Sequence, residues 1–298
     1  MGALRYRFDE DGPFITERTS LSCPPIIKVR DLEYSSLQFE KQDSTEDEES
    51  RWLRQLLAPG ASLGGARPKS NVRDTDGALW IAKFPSRRDF ADIGAWEMVT
   101  HHLAVDANIR VSAARAECFN TPHHTFLTQR FDRTSSGERL HFASTMTLLG
   151  YTDGISHTEG VRYLELAEFI MRSGVEPEKD LKELWRRIVF SVCVSNTDDH
   201  LRNHGFVLSD KGWLLSPAYD INPNPEGYGL SLNIDESDNS LDLGLTRKVA
   251  PYFRIGDMEA GLMIEEVMDC ISAWERYADR YHISKSEQEF YRSAFITH

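Results

Sequence analysis

Asp198 stands five positions ahead of Asn203, and a second aspartate, Asp220, lies beyond a short predicted hairpin. Phosphoryl transfer needs donors that cradle the phosphates, a lysine on the phosphate oxygens, a carboxylate near the attacking hydroxyl and hard oxygen ligands for Mg²⁺. Protein kinases set their catalytic-loop aspartate five residues before a metal-binding asparagine and hold a further metal-binding aspartate downstream. By that geometry Asp198 accepts or orients the proton of a substrate hydroxyl, and Asn203 and Asp220 coordinate Mg²⁺. Lys83 is placed for the phosphates, since apolar Ile81, Ala82 and Phe84 flank it and a Gly-rich loop precedes it. An edge-strand lysine that blunts aggregation is the competing reading. Glu97, one helix later, is set to pair with Lys83, and an ordinary helix-surface acid would look much the same.

These residues need elements to hold them. Residues 79–84 read as a strand, and a helix follows from about residue 92, with Ile93, Trp96, Val99 and Leu103 near a 3.6-residue period. Residues 125–131 read as a strand that ends in the polar linker 132–138. Beyond the linker the chain reads mostly helical. The clearest helix covers residues 180–193, where Leu181, Leu184, Trp185, Ile188, Val189 and Val192 form a broad apolar stripe. It delivers the chain to Asp198. Residues 206–208 and 213–215, joined by Ser-Asp-Lys-Gly, read as a hairpin with a four-residue connection that ends near Asp220. Helical patterns over 257–277 and 285–296 close the chain. The acidic stretch 43–50 has capping-box spacing and reads as a solvated helix start, running through Trp52, Leu53, Leu56 and Leu57 to a stop at Pro59-Gly60.

Composition narrows the possibilities. The chain has 298 residues, enough for a real core, and its 34 Lys and Arg against 47 Asp and Glu give a net charge of −13. Such a surface repels nucleic-acid backbones, so direct nucleic-acid binding is not expected, although a local basic pocket can still hold a small phosphorylated ligand. No apolar run is long enough for a membrane helix and no secretory signal is visible, so the expected location is the cytoplasm. Cys23, Cys118, Cys193 and Cys270 are too scattered for a zinc site or a disulfide framework and are expected to be reduced, mostly buried thiols. The His101-His102 and His123-His124 pairs lack a Cys or acid placed to complete a transition-metal site.

The motifs taken together are more specific than any one of them. Ser-x-Gly-Gly-Ala-Arg-Pro-Lys at 62–69, Gln-Arg-Phe-Asp-Arg at 129–133, Asn-Thr-Asp-Asp-His-x-x-Asn at 196–203 and Tyr-Asp at 219–220 resemble, in order, the HipA family of bacterial serine/threonine kinase toxins. The resemblance implies an α+β, two-lobed protein-kinase-like fold. Its mixed N-lobe would cover residues 1–133, with the Gly-rich loop and the ATP-phosphate lysine; its mostly helical C-lobe would cover 134–298. It makes Asp198 the catalytic aspartate, puts Asn203 and Asp220 on the metal and Lys83 on the ATP phosphates, and gives Gly64, Gly65 and Ala66 to the nucleotide loop. Gln129 and Phe131 would lie in the interlobe hinge that reads adenine, where a plain linker would look similar. Ser62 matches the loop serine that relatives autophosphorylate, and a serine making an ordinary loop hydrogen bond is the alternative. His200 would hold the catalytic loop by hydrogen bonds.

The function that the resemblance implies is Mg-ATP-dependent phosphorylation of a protein hydroxyl; in characterised relatives the targets are aminoacyl-tRNA synthetases. Those relatives are checked by a small DNA-binding antitoxin, so a HipB-like partner is expected. Longer members carry an extra N-terminal subdomain ahead of the segment that residues 2–6 resemble. The expectation is therefore a compact member, with that part supplied by a separate small protein, or a truncated or internally started form. Two other readings stay open: a nucleotide-binding regulatory module acting through a partner, and a small-molecule kinase of related fold.

Overall fold

The computed structural model describes residues 2–12, 14, 23–40 and 67–297. The expected acidic helix start and the loop carrying Ser62, Gly64, Gly65 and Ala66 lie outside the described residues. The chain forms two compact units, one of Ala3–Met98 with Ser112–Arg139, the other of Met1–Gly2, Val99–Val111 and Leu140–His298.

The first unit is built on a four-stranded antiparallel sheet of β1 (Lys69–Arg73), β2 (Leu79–Lys83), β3 (Ala114–Cys118) and β4 (His124–Gln129), in the order β1-β2-β4-β3. Helix α1 (Val29–Phe39) lays Val29 and Leu32 onto Val72, Ala82, Phe84 and Leu127 of this unit, the core that seats the sheet. Only β2 and β4 were legible. β1 and β3 are five residues each and carry too few apolar side chains to alternate visibly. In the sheet order β2 is flanked on both sides, so Lys83 is not an edge-strand lysine. Helix α2 (Ile93–Asp106) begins in this unit, and the division between units falls within it, at Met98 and Val99.

The second unit is helical around one small sheet. It contains α3 (Thr145–Leu149), α4 (Tyr163–Ser173), α5 (Pro177–Cys193), α6 (Leu243–Val249), α7 (Asp257–Ile271), α8 (Trp274–Arg280) and α9 (Lys285–Tyr291). The predicted stripe on α5 is the core: Leu181, Leu184, Trp185, Ile188, Val189 and Val192 have no exposed surface. Burial on this scale removes roughly 1.5–3 kcal/mol worth of apolar surface from water per large side chain. The Trp185 indole still satisfies its N–H, donating to Thr246 O at 2.9 Å.

Strands β5 (His141–Ser144), β6 (Gly205–Ser209) and β7 (Gly212–Leu215) pair antiparallel in that order. The β6–β7 connection is two residues, not the four expected, because Ser209 and Gly212 pair across it. Gly212 takes φ +136°, a conformation that a side chain would oppose, which lets the strands close so tightly. The long helical pattern 257–277 is broken at Ser272 and Ala273, and the last predicted helix ends as the 3-10 turn Arg292–Ala294.

The boundary also differs from the expected 133/134. Residues 133–139 fold back on themselves, with Thr134 N donating to Glu138 O at 2.9 Å and Arg133 bridging Arg139, so the chain leaves the first unit at Arg139. Residues 99–111 belong with the helical unit, where Ala218 N donates to Arg110 O at 2.7 Å. Of the cysteines only Cys193 is buried, and burial pushes its thiol up to about 12. Cys118 is exposed because it ends β3, an edge strand.

The start of α2 packs closely against the turn into β4. A Cβ on Gly94 would stand 2.0 Å from the carbonyl oxygen of His124. Gly94→Ala is therefore expected to cost about 1–3 kcal/mol, read as a lowered midpoint in thermal or urea unfolding; an unchanged midpoint would show that this packing yields.

Candidate active site

In the sheet unit, Lys83 sits at the end of β2 and Glu97 one turn into α2, and the Lys83 ammonium bonds Glu97 Oε1. Both are buried, Lys83 to 8% and Glu97 to 5% exposure, so the glutamate is not a helix-surface acid. The Lys83 ammonium also lies 5.6 Å from the centroid of the Phe126 ring on β4, a favourable position for a cation. A pair this desolvated is held by geometry: the β2 register against β4 fixes one partner, and the packed start of α2 fixes the other.

Arg67, from the Gly-Gly-Ala-Arg-Pro-Lys motif, grips Asp89 bidentately at 2.8 and 2.6 Å and donates to Phe84 O at 3.2 Å. It thereby ties the end of that motif to the residue after Lys83. Gln129 ends β4 opposite Trp80, its N–H donating to Ala113 O, and Phe131 follows half-buried. Next to them Arg130 binds Asp132 through two nitrogens at 2.8 and 2.6 Å. Burial alone would raise the Asp132 carboxyl, but Arg130 and Arg133 outweigh it and hold it below the usual value.

In the helical unit, α5 ends in a tight reversal. Ser195 takes φ +48°, Asn196 N donates to Ser191 O and Ser195 N to Val192 O, the double closure that usually recruits glycine. The turn throws Asp198 outward, its side chain 86% exposed. Its backbone oxygen accepts from His200 N at 2.9 Å and from Asn203 Nδ2 at 2.8 Å. Asn203 is buried, and its amide nitrogen is spent on the loop. His200 Nε2 lies 3.9 Å from Asp198 Oδ1 and 3.3 Å from the Arg202 guanidinium, in keeping with a holding role.

Asp220 lies on a second loop and, like Ser195, is a non-glycine residue with positive φ, here +61°. Two non-glycine residues in this conformation on adjoining loops mark a site whose surroundings enforce the backbone. The loops are bound together: Asn222 N donates to Asn196 Oδ1 at 3.1 Å, Asn224 N to Ser195 O at 3.1 Å, and Asn224 Nδ2 to Thr197 Oγ1 at 2.7 Å. Thr100 on α2 donates to Ile221 O at 2.7 Å, and the Tyr219 hydroxyl to Arg202 O at 2.7 Å. Thus Asp198, Asn203 and Asp220 are brought together through their backbones in one unit.

Sequence reading missed the residues that do the holding. Asp199, neighbour of Asp198, points the other way and is buried. It accepts the hydroxyls of Tyr163 at 2.6 Å and Ser191 at 3.2 Å, and His204 Nε2 lies 3.0 Å from its other oxygen. Burial would raise this carboxyl, but His204, Tyr163 and Ser191 together hold it below its ordinary value. On α5, Asp180 and Arg187 interrupt the apolar stripe at core-facing positions, and both are buried. Asp180 accepts Leu215 N at 2.8 Å and Arg110 Nη2 at 2.9 Å; Arg187 binds Glu183 and donates to Ser216 O at 2.8 Å. These ions clamp the chain just before Asp220. The visible signal was a charge at helical spacing inside a core stripe.

The histidine pairs have other work. His124 Nδ1 bonds Asp92 at 2.6 Å, and His102 stacks on Tyr277 at 4.7 Å and meets the Tyr281 hydroxyl. Burial pulls His102 down to about 4. Among the described residues no group of three or more His, Cys, Asp or Glu is placed to hold a metal ion, and no helix is long and apolar enough to cross a membrane.

Comparison with known proteins bears on this arrangement. The family model for the HipA-like C-terminal domain matches residues 61–276. A provisionally named kinase of Haemophilus influenzae is 27% identical over 225 residues, covering 66% of this chain and 65% of its own length. A HipA chain in the complex of Shewanella oneidensis HipA, HipB and operator DNA superposes with a TM-score of 0.60 at 18% identity, over 78% of this chain and 62% of that one. The Helicobacter pylori proinflammatory kinase CtkA does so with a TM-score of 0.58 at 16% identity, over 78% of this chain and 88% of that one. The fold is thus the two-lobed kinase-like fold of these structures, and the chain spans just under two thirds of the length of the Haemophilus and Shewanella proteins.

Two measurements test the site's construction. Lys83→Met strands Glu97 in a buried position and is expected to cost about 3–5 kcal/mol, whereas the double change Lys83→Met with Glu97→Leu recovers most of it; equal losses in urea unfolding would deny the coupling. Asp199, with its carboxyl held low, stabilises the fold above the unfolded carboxylate value of about 3.9 and loses that contribution as pH falls below it. Asp199→Asn should be less stable at neutral pH and its stability should fall less steeply below about pH 4; parallel curves for the two proteins would contradict the assignment.

Proposed function

The chain belongs to the HipA-like C-terminal domain family, and from that premise we propose that it is an ATP- and Mg²⁺-dependent serine/threonine protein kinase acting as a toxin held by a partner. The observation that carries the reading is the treatment of the aspartate doublet and its neighbours. Asp198 is held out to solvent by a loop that is tied internally, His200 N and Asn203 Nδ2 both donating to the Asp198 backbone oxygen, with Asn203 and Asp220 on the same bonded pair of loops. A purely structural loop has no need to present a carboxylate this way.

Asp198 orients the attacking hydroxyl and takes up its proton as the new O–P bond forms, while the bond from the γ-phosphorus of ATP to its β,γ-bridging oxygen breaks and ADP leaves. Asn203, through its amide oxygen, and Asp220, through its carboxylate, are the residues that would hold Mg²⁺. Hard oxygens from one or two side chains suit an ion that keeps waters and phosphates as its other ligands. Bound there, Mg²⁺ would supply positive charge to the phosphate oxygens. Lys83, aimed by Glu97, offsets further charge on the phosphates. Gly64, Gly65 and Ala66 are proposed for the phosphate loop, Gln129 and Phe131 for the adenine, and Ser62 as a site of autophosphorylation. The aminoacyl-tRNA synthetases are the proposed target class and the cytoplasm the proposed location. The Shewanella HipA structure contains HipB and operator DNA; a HipB-like antitoxin is proposed for this chain by analogy, as is a separate small protein for the N-terminal subdomain of longer members.

Intact-protein mass spectrometry and γ-labelled ATP test the proposal. The purified chain should transfer label to itself or to a bacterial protein extract, and Asp198→Asn should lower that rate by about 100-fold or more while still binding Mg-ATP. Label appearing only in small metabolites would favour a metabolite kinase, and nucleotide binding with no transfer to any acceptor would leave a binding module.

A further inference from the structure

A pocket of about 170 Å³ opens beside the loop that presents Asp198. Its lining includes the apolar Met146, Ile155 and Leu201, the His200 of the Asp198 loop, and the ion pair Asp153–Arg202. Nothing in the phosphoryl-transfer assignment above uses it.

Its walls are fastened to the catalytic loop itself. Met146 N donates to Leu201 O at 3.2 Å, and Ser231, another lining residue, donates its hydroxyl to Thr197 O at 2.8 Å. Arg202 Nη1 pairs with Asp153 Oδ2 at 2.9 Å. The lining segment 152–156 is stiffened where it turns into the 3-10 segment His157–Glu159: Ser156 and Glu159 cap each other, and His157 N donates to Ser231 O at 2.8 Å. The pocket thus keeps a fixed position relative to Asp198, the condition for a specificity site.

A cavity of about 150 Å³ accommodates a benzene-sized molecule, so an open pocket of about 170 Å³ with Met146, Ile155 and Leu201 in its lining has room for a single medium side chain. The Nε2 of His200, a lining residue, is 3.9 Å from Asp198 Oδ1. Successive residues of an extended peptide advance about 3.3 Å, which brings a side chain one or two places from the accepting hydroxyl over the opening. In the lining ion pair Asp153 is 66% exposed and Arg202 39%. Such a pair contributes little to stability and is free to meet the peptide's own polar groups.

We infer that this pocket is a substrate-specificity subsite that receives an apolar side chain, leucine, methionine or phenylalanine, next to or one removed from the phosphorylated serine or threonine of a protein substrate. The inference rests on the protein-kinase reading and adds the sequence context that the enzyme selects.

The probe is a positional-scanning peptide library with a fixed central serine, phosphorylated by the full chain with Mg-ATP and read as label per position. One position within two residues of the serine should favour Leu, Met or Phe over Ala or Asp by about 10-fold or more. Ile155→Trp, which fills the pocket from a half-buried loop position, should abolish that preference without altering the affinity for a fluorescent ATP analogue. Ile155→Ala, which enlarges it, should shift the preference toward Phe and Trp, a gain that an unfolded variant cannot produce. Peptides labelled without any such preference, or with one that neither variant alters, would overturn the subsite while leaving the kinase reading intact. If neither the peptides nor an added protein extract were labelled, the kinase reading would fall and the subsite with it.

Discussion

A buried charge must find partners inside the protein, and in the helical unit that requirement shapes the candidate site. Arg187 lies on the core face of α5, 4% exposed, beside the apolar stripe of that helix. Its partners are Glu183, one turn back, and the backbone oxygen of Ser216. Asp180, two turns back on the same face, takes Leu215 N and the Arg110 guanidinium. Removing either partner would leave a desolvated ion, at a cost of several kcal/mol. The chain before Asp220 therefore cannot drift without exposing that cost, and a loop in an unusual backbone conformation becomes a rigid feature.

The Asp198-Asp199 doublet divides the same logic between adjacent residues. Asp199 is satisfied inward by Tyr163, Ser191 and His204, and its anchorage leaves Asp198 to face solvent. The sheet unit solves a similar problem with a single pair: Lys83 and Glu97 are buried only because each has the other. In both units the functional side chains proposed here are set by polar groups that could not be buried alone. The apolar cores supply the bulk of stability, and the ions select one arrangement of loops within it.

Some of this was legible in the residues. The spacing of Asp198, Asn203 and Asp220 is local and survives any packing, and the stripe on α5 announced the core helix. The partnership of Lys83 and Glu97 was open in the sequence, where a kinase-type lysine–glutamate pair and a helix-surface acid looked much alike, and the burial of both decided it. Strands β1, β3 and β5 were not legible, since five or fewer residues with mixed side chains show no period. The two-residue β6–β7 turn was also hidden, because four turn-forming residues in a row do not say which two pair.

The sequence by itself determined which residues could do phosphoryl chemistry and in what order the chain supplies them, because those are properties of residue type and separation. Only the tertiary structure decided that Asp198 faces outward while Asp199 is buried, that β2 is an interior strand, and that Asp180 and Arg187 clamp the approach to Asp220. Two adjacent aspartates are chemically identical until α4, α5 and the His204 that precedes β6 surround one of them with polar partners. Which side chain becomes a functional group and which an anchor depends on contacts between residues far apart in the chain, and no local pattern encodes that.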